Sequence, residues 1–244
     1  MKHTFKKITY SQKCFRNIYT IHPTQDLYDD IVDPEDYDAL FELEKNSSLI
    51  EKQEPNKARV FQYGKSDELF KPFNPPWGEG RFGDGKRYGV LYCAEDKETS
   101  YIEAFWHWIR WTRNMHTESA KDWLYTDRTV FELDIHSDSF VSFLKDKVNR
   151  NKLISDDYGY CRSLASQAIK EHIDGMQTPS ARNVSGVCVP IFEKNVIKAD
   201  KKIKYIKFGC NVKTGVMKIE NEDIEIPFSY EQATSGQGKG YSDE

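Results

Sequence analysis

Glu103 sets a carboxylate into a run of large apolar and aromatic residues, YIEAFWH, where a charge is costly unless something holds it. Two local readings account for it. If Ser100 caps a helix, SYIE is a capping box and Glu103 reaches back to a backbone donor. If Asp96 is the cap instead, DKET fills the first turn with acids that the helix dipole favours. Glu103 then stands a turn further in, aligned with Trp106, His107 and Arg110. Arg59 and Arg81 offer a second chemistry. A planar guanidinium near the glycine-rich stretch is shaped to grip a phosphate or pyrophosphate with paired hydrogen bonds, though a lone Arg also serves as a surface ion pair. Ser180, in the polar turn TPSARNVSG, presents a hydroxyl that either bonds a ligand, positions a carboxylate or closes the turn. No GxSxG elbow surrounds it, and the six histidines have no HExxH spacing, so neither a serine hydrolase nor a metal enzyme is expected.

The elements that must position these residues follow from pattern. Residues 1–57 read as an N-terminal helical lead-in, with Asp33 and Pro34 opening a short amphipathic helix through Tyr37, Leu40 and Phe41. The stretch KPFNPPWGEGRFGDGKRYG, residues 71–89, is too rich in Pro and Gly for regular structure and reads as an ordered loop or lid. VLYCA follows as a buried strand, and DKETSYIEAFWHWIRWTRNM as a helix burying Ile102, Phe105, Trp106 and Ile109. TVFELDI alternates as a strand, and SFVSFLKDKV suggests a short helix. YGYCRSLASQAIKEHIDG is a stronger helix, with Gly175 as its C-terminal cap. GVCVPIF, KIKYIKFG and GVMKIENEDIEIPF read as strands, and residues 231–244 as a disordered tail. Strands and helices without regular βαβ alternation argue for an α+β domain, here residues 58–230.

Composition narrows the function classes. A net charge of -4 lacks the basic excess of a nucleic-acid binder. Five cysteines without a CxxC pair indicate neither a disulfide framework nor a zinc knuckle. The basic N-terminus has no apolar run behind it, so neither a signal peptide nor a membrane span is expected, and the reading is a cytoplasmic protein. WHWIRWTR keeps an alternative open: a non-catalytic module for a nucleotide or single-stranded nucleic acid, with Trp108 and Arg113 in contact. Its aromatics, however, fall at helical core spacing.

Two segments, GRFGDGKRYGVLYCAEDKETSYIEAFWH and DDYGYCRSLASQAIKEHIDGMQTPSARNVSGVCVPIF, together resemble the RES domain, over roughly residues 57–200. The ordered series of RF, YxA, E and PSAR carries the likeness. The resemblance implies an ADP-ribosyltransferase-like split β-sheet core with surrounding helices. It also implies NAD consumed as a substrate without a metal, and a toxin neutralised by an Xre-like helix-turn-helix antitoxin. It places the family's glutamate on Glu103, its serine on Ser180, its arginines on Arg81 and Arg59, and its strand tyrosine on Tyr92. On that reading Glu103 and Ser180 are catalytic. Arg81 and Arg59 hold the pyrophosphate, Tyr92 packs on the ribose or nicotinamide, and the 71–89 loop closes over the dinucleotide.

Overall fold

The computed structural model describes residues 4–20, 67–113, 123–211, 216–220 and 224–226, with 67–68, 110–113 and 224–226 described by backbone alone. The chain divides into two compact units, Thr20–Leu69 and the remainder, and nearly all of the first lies outside the described residues. Arg59, the short helix expected after Asp33 and the 231–244 tail also lie outside them.

In the larger unit the order is β1 (Ile8–Tyr19), β2 (Leu91–Ala94), α1 (Lys97–Arg113), β3 (Trp123–Ser142), α2 (Arg150–Ile154), α3 (Gly159–Lys170), β4 (Gly175–Pro179), β5 (Val187–Ile191), β6 (Ile197–Asn211), β7 (Met217–Ile219) and β8 (Ile224–Ile226). The strands form one sheet in the order β1-β2-β5-β4-β3-β6-β7-β8, and β1 also pairs with β3. The long β3 splits the sheet. One of its edges carries β1, while partners change along the other: β6 pairs as far as Ile135 and β4 takes over at Phe140. Strands β1 to β5 therefore close on themselves, and β6 to β8 extend outward. Only β3–β4 is parallel among the pairings described. This is the α+β class expected from the pattern.

Alternation builds β3. Leu133 and Ile135 are buried while Asp134 and His136 are exposed, the period of two that a half-covered strand needs. Helical spacing builds α1: Ile102, Phe105, Trp106 and Ile109 are all buried and join Val130, Ile206, Phe208 and Met217 in one core cluster. Helix α3 buries Cys161, Leu164, Ala165 and Ala168 against Phe82, Val141 and Met176 in another.

Three expectations need correction. The lead-in is not helical at its start, because β1 occupies Ile8–Tyr19 and pairs along β3 from Ile8↔Phe140 to Tyr19↔Arg128. Only Tyr10 and Cys14 of its twelve residues are buried, and backbone pairing on two neighbours holds it in place of a strong apolar pattern. SFVSFLKDKV is not a helix either: β3 runs through Ser142, and the helix begins only at Arg150. Gly175 opens β4 and caps nothing. A Cβ there would stand 2.3 Å from the Phe140 ring, so close strand packing requires the glycine. The residue in left-handed backbone after α3 is His172, φ 55°. No helix among the described residues is long and apolar enough to cross a membrane.

Candidate active site

Asp96 settles how α1 begins. Its carboxylate accepts the Thr99 backbone N–H at 2.7 Å and the Thr99 hydroxyl at 2.7 Å, the bonds of an N-cap. Ser100 donates instead to the Lys97 carbonyl at 2.7 Å. No capping box forms, and Glu103 stands well inside the helix on a half-buried face.

The turn after β4 reaches Glu103 from the other side. The fully buried Ser180 accepts the backbone N–H groups of Arg182 at 3.1 Å and Asn183 at 2.9 Å, and donates its hydroxyl to Glu103 Oε1 at 2.5 Å. A hydroxyl has one hydrogen to give, so two donors on its oxygen fix where that hydrogen points. Cys188 on β5 donates to the same Oε1 at 3.4 Å. Burial, with the Glu103 carboxylate beside it, pushes the Cys188 thiol well up, so it stays an S–H donor. Among the described residues both bonds fall on Oε1, which leaves Oε2 for a ligand.

Tyr92 on β2 is held by its far end. Its hydroxyl oxygen accepts the N–H groups of Phe82 at 2.9 Å and Gly83 at 3.1 Å, tying the glycine-rich loop to the sheet. The ring remains open enough to touch a ligand, the residue being 36% exposed. Burial of the hydroxyl pushes its pKa up to about 12, partly offset by the two N–H donors.

Arg81 donates to the carbonyls of Leu153, at 3.1 Å, and Ser155, lies 3.8 Å from an Asp156 oxygen, and covers the Tyr158 ring at 4.8 Å. The loop arginine is thus fastened to the α2–α3 connection. Arg182 stacks on the Trp106 indole at 3.4 Å and donates to Asp156 Oδ1. Its side chain is 2% exposed.

These groups line one cleft of about 210 Å³, walled by Gly80, Arg81, Phe82, Tyr92, Glu103, Trp106, His107, Tyr158, Thr178, Pro179, Ala181, Arg182 and Cys188, with Glu79 at its edge. Glu103, Arg81 and Tyr92 meet in it, with Ser180 directly behind Glu103. The arrangement offers a carboxylate at one place and guanidinium groups at another, suited to a ligand that carries both an electron-poor centre and an anionic group. Among the described residues no group of three or more His, Cys, Asp or Glu could hold a metal ion.

Sequence reasoning missed Arg182, Cys188 and Asp156. Arg182 was legible in principle, since it lies within PSAR, two residues past Ser180. Cys188 faces the cleft from a strand that reads only as core. Asp156 sits in the polar turn SDDYG, which nothing in the pattern separates from other turns. Trp108 is 2% exposed and packs on Phe105 and Phe208, so it presents no face for a base to stack on.

No curated protein matches the chain in sequence. Among solved structures, the M. tuberculosis MbcT-MbcA toxin-antitoxin complex is similar with a TM-score of 0.43 and 12% identity, over 82% of this chain and 86% of that chain. The RES domain family matches residues 58–210, more than half of the chain and the stretch that holds every wall of the cleft, and the protein belongs to that family.

Proposed function

We propose that the protein cleaves the nicotinamide–ribose bond of NAD and acts as the toxin of a toxin-antitoxin pair. Breaking that bond builds positive charge on the ribose, and a carboxylate fixed beside the sugar stabilises it. One observation carries the reading: the 2.5 Å bond from Ser180 to Glu103 Oε1, which orients the carboxylate and leaves Oε2 for the substrate. Tyr92 offers its ring to the ribose or nicotinamide, and Arg81 offers positive charge to the pyrophosphate. The cleft, about 210 Å³, is smaller than the roughly 300–1,000 Å³ typical of drug-sized ligands, so it receives the reacting end of the dinucleotide and leaves the rest at its mouth. Water as acceptor gives hydrolysis, inorganic phosphate gives phosphorolysis, and a protein side chain gives ADP-ribosylation. The partner in this reading is an Xre-like helix-turn-helix antitoxin.

The test is direct. Purified protein incubated with NAD should release nicotinamide, and Glu103→Gln, which keeps the shape and removes the charge, should lower the rate by roughly 10²-fold or more while melting like the wild type. Undiminished release by the variant would remove Glu103 from the chemistry, and no release by the wild type under any acceptor would sink the reading.

A further inference from the structure

We propose that Asp156 is a built-in counter-ion, occupying between Arg81 and Arg182 the place that an anionic group of the substrate takes, and that Arg182 is thereby a second guanidinium of the dinucleotide site. The inference rests on the NAD reading for the identity of the anion, a pyrophosphate.

The geometry separates the two arginines from the acid that joins them. One oxygen of Asp156, Oδ1, accepts from Arg182 and lies 3.8 Å from Arg81, so a single anionic oxygen spans both guanidinium groups. Each arginine has a further hold besides that oxygen. Arg81 is held by the Leu153 and Ser155 carbonyls and by the Tyr158 ring. Arg182 sits over the Trp106 ring, 3.4 Å from its centroid. The arginine side chains are 15% and 2% exposed, whereas Asp156 is 33% exposed and sits on the short connection between α2 and α3. Asp156 is therefore the member of the trio that water reaches and that can swing out while its partners stay.

Two guanidinium groups facing one cleft bind an oxyanion strongly, and with nothing between them they repel one another. A carboxylate between them relieves that repulsion in the empty protein and competes with the incoming anion. A pyrophosphate carries more oxygens and charge than a carboxylate, so it can bridge both arginines while Asp156 turns to solvent. The competition lowers affinity for any small anion that does not outbid the carboxylate, which makes Asp156 a specificity device.

The test measures binding without requiring turnover. Calorimetric titration of the full-length protein with inorganic pyrophosphate, and separately with ADP-ribose, is compared for the wild type, Asp156→Asn and Arg182→Gln, with Arg182→Lys as a second variant should Gln prevent folding. Asp156→Asn is expected to bind pyrophosphate about fivefold tighter or more, the lower end of a coupling between competing ligands, and the Arg182 variants are expected to lose binding. Equal or weaker binding by Asp156→Asn would make Asp156 a strut for the arginines and overturn the proposal, as would full binding by a folded Arg182 variant. Nicotinamide release measured on the same samples separates the two claims. Cleavage without tightening leaves the NAD reading standing and removes the counter-ion. Tightening without cleavage supports the anion site and removes the NAD reading.

Discussion

Ser180 reaches a ligand only through Glu103, because its oxygen accepts two backbone N–H groups and its one hydrogen goes to Oε1. Ser180→Ala should therefore lower kcat with little change in KM. It should also cost about 1–3 kcal/mol of stability, since the buried N–H groups of Arg182 and Asn183 lose their acceptor. A variant that kept kcat would make the serine a turn residue only. Tyr92 yields a pH dependence with a definite sign. Its folded pKa, about 12, lies above the ordinary value of 10.0, so its contribution to stability is whole below the unfolded pKa and is lost as pH rises through the folded one. The difference in melting temperature between wild type and Tyr92→Phe should then shrink between those two values. A constant difference would mean that burial does not raise the pKa of the hydroxyl in the folded protein.

Helix α1 is the element on which the site turns, and at its start the pattern leaves two caps open between which the structure chooses. Ser100 and Asp96 are equally good caps on paper, and only the tertiary contact decides. Asn183 donates to the Thr99 hydroxyl at 2.9 Å, and that hydroxyl in turn donates to Asp96, so the turn after β4 is fastened to the cap itself. Gly186 lets the turn come this close, since a Cβ there would stand 2.3 Å from Thr99 Oγ1. Gly186→Ala should therefore destabilise the fold by about 1–3 kcal/mol. It should also lower activity by parting Ser180 from Glu103, and calorimetry with steady-state rates would reveal both effects. The strand VLYCA, the aromatic stripe of α1 and the loop arginine were legible because period and residue type mark them locally, whereas Tyr92 entered as a site residue only through the family resemblance. The closing role of β1 between β2 and β3, the close packing at Gly175 and the Asp156 contact were not. Each depends on a partner more than thirty residues away or on a turn without distinctive composition.

At the scale of the whole molecule, the split sheet explains why residues so far apart in sequence converge. β3 hands its edge from β6 to β4, which delivers Ser180 at the end of β4, while β5 sets Cys188 and β2 sets Tyr92 along the same closed group of strands. The loop at 79–82 and the α2–α3 connection then close the cleft over α1. Five cysteines remain thiols in the described fold, and four of them are buried. A protein with the proposed NAD-cleaving activity must be harmful unless restrained. Induced expression in a bacterial host should arrest growth with a parallel fall in cellular NAD. Glu103→Gln should restore both, and co-expression of a helix-turn-helix protein encoded beside this chain should do the same without any substitution. Arrest with NAD intact would remove hydrolysis and phosphorolysis of NAD as the cause of the toxicity.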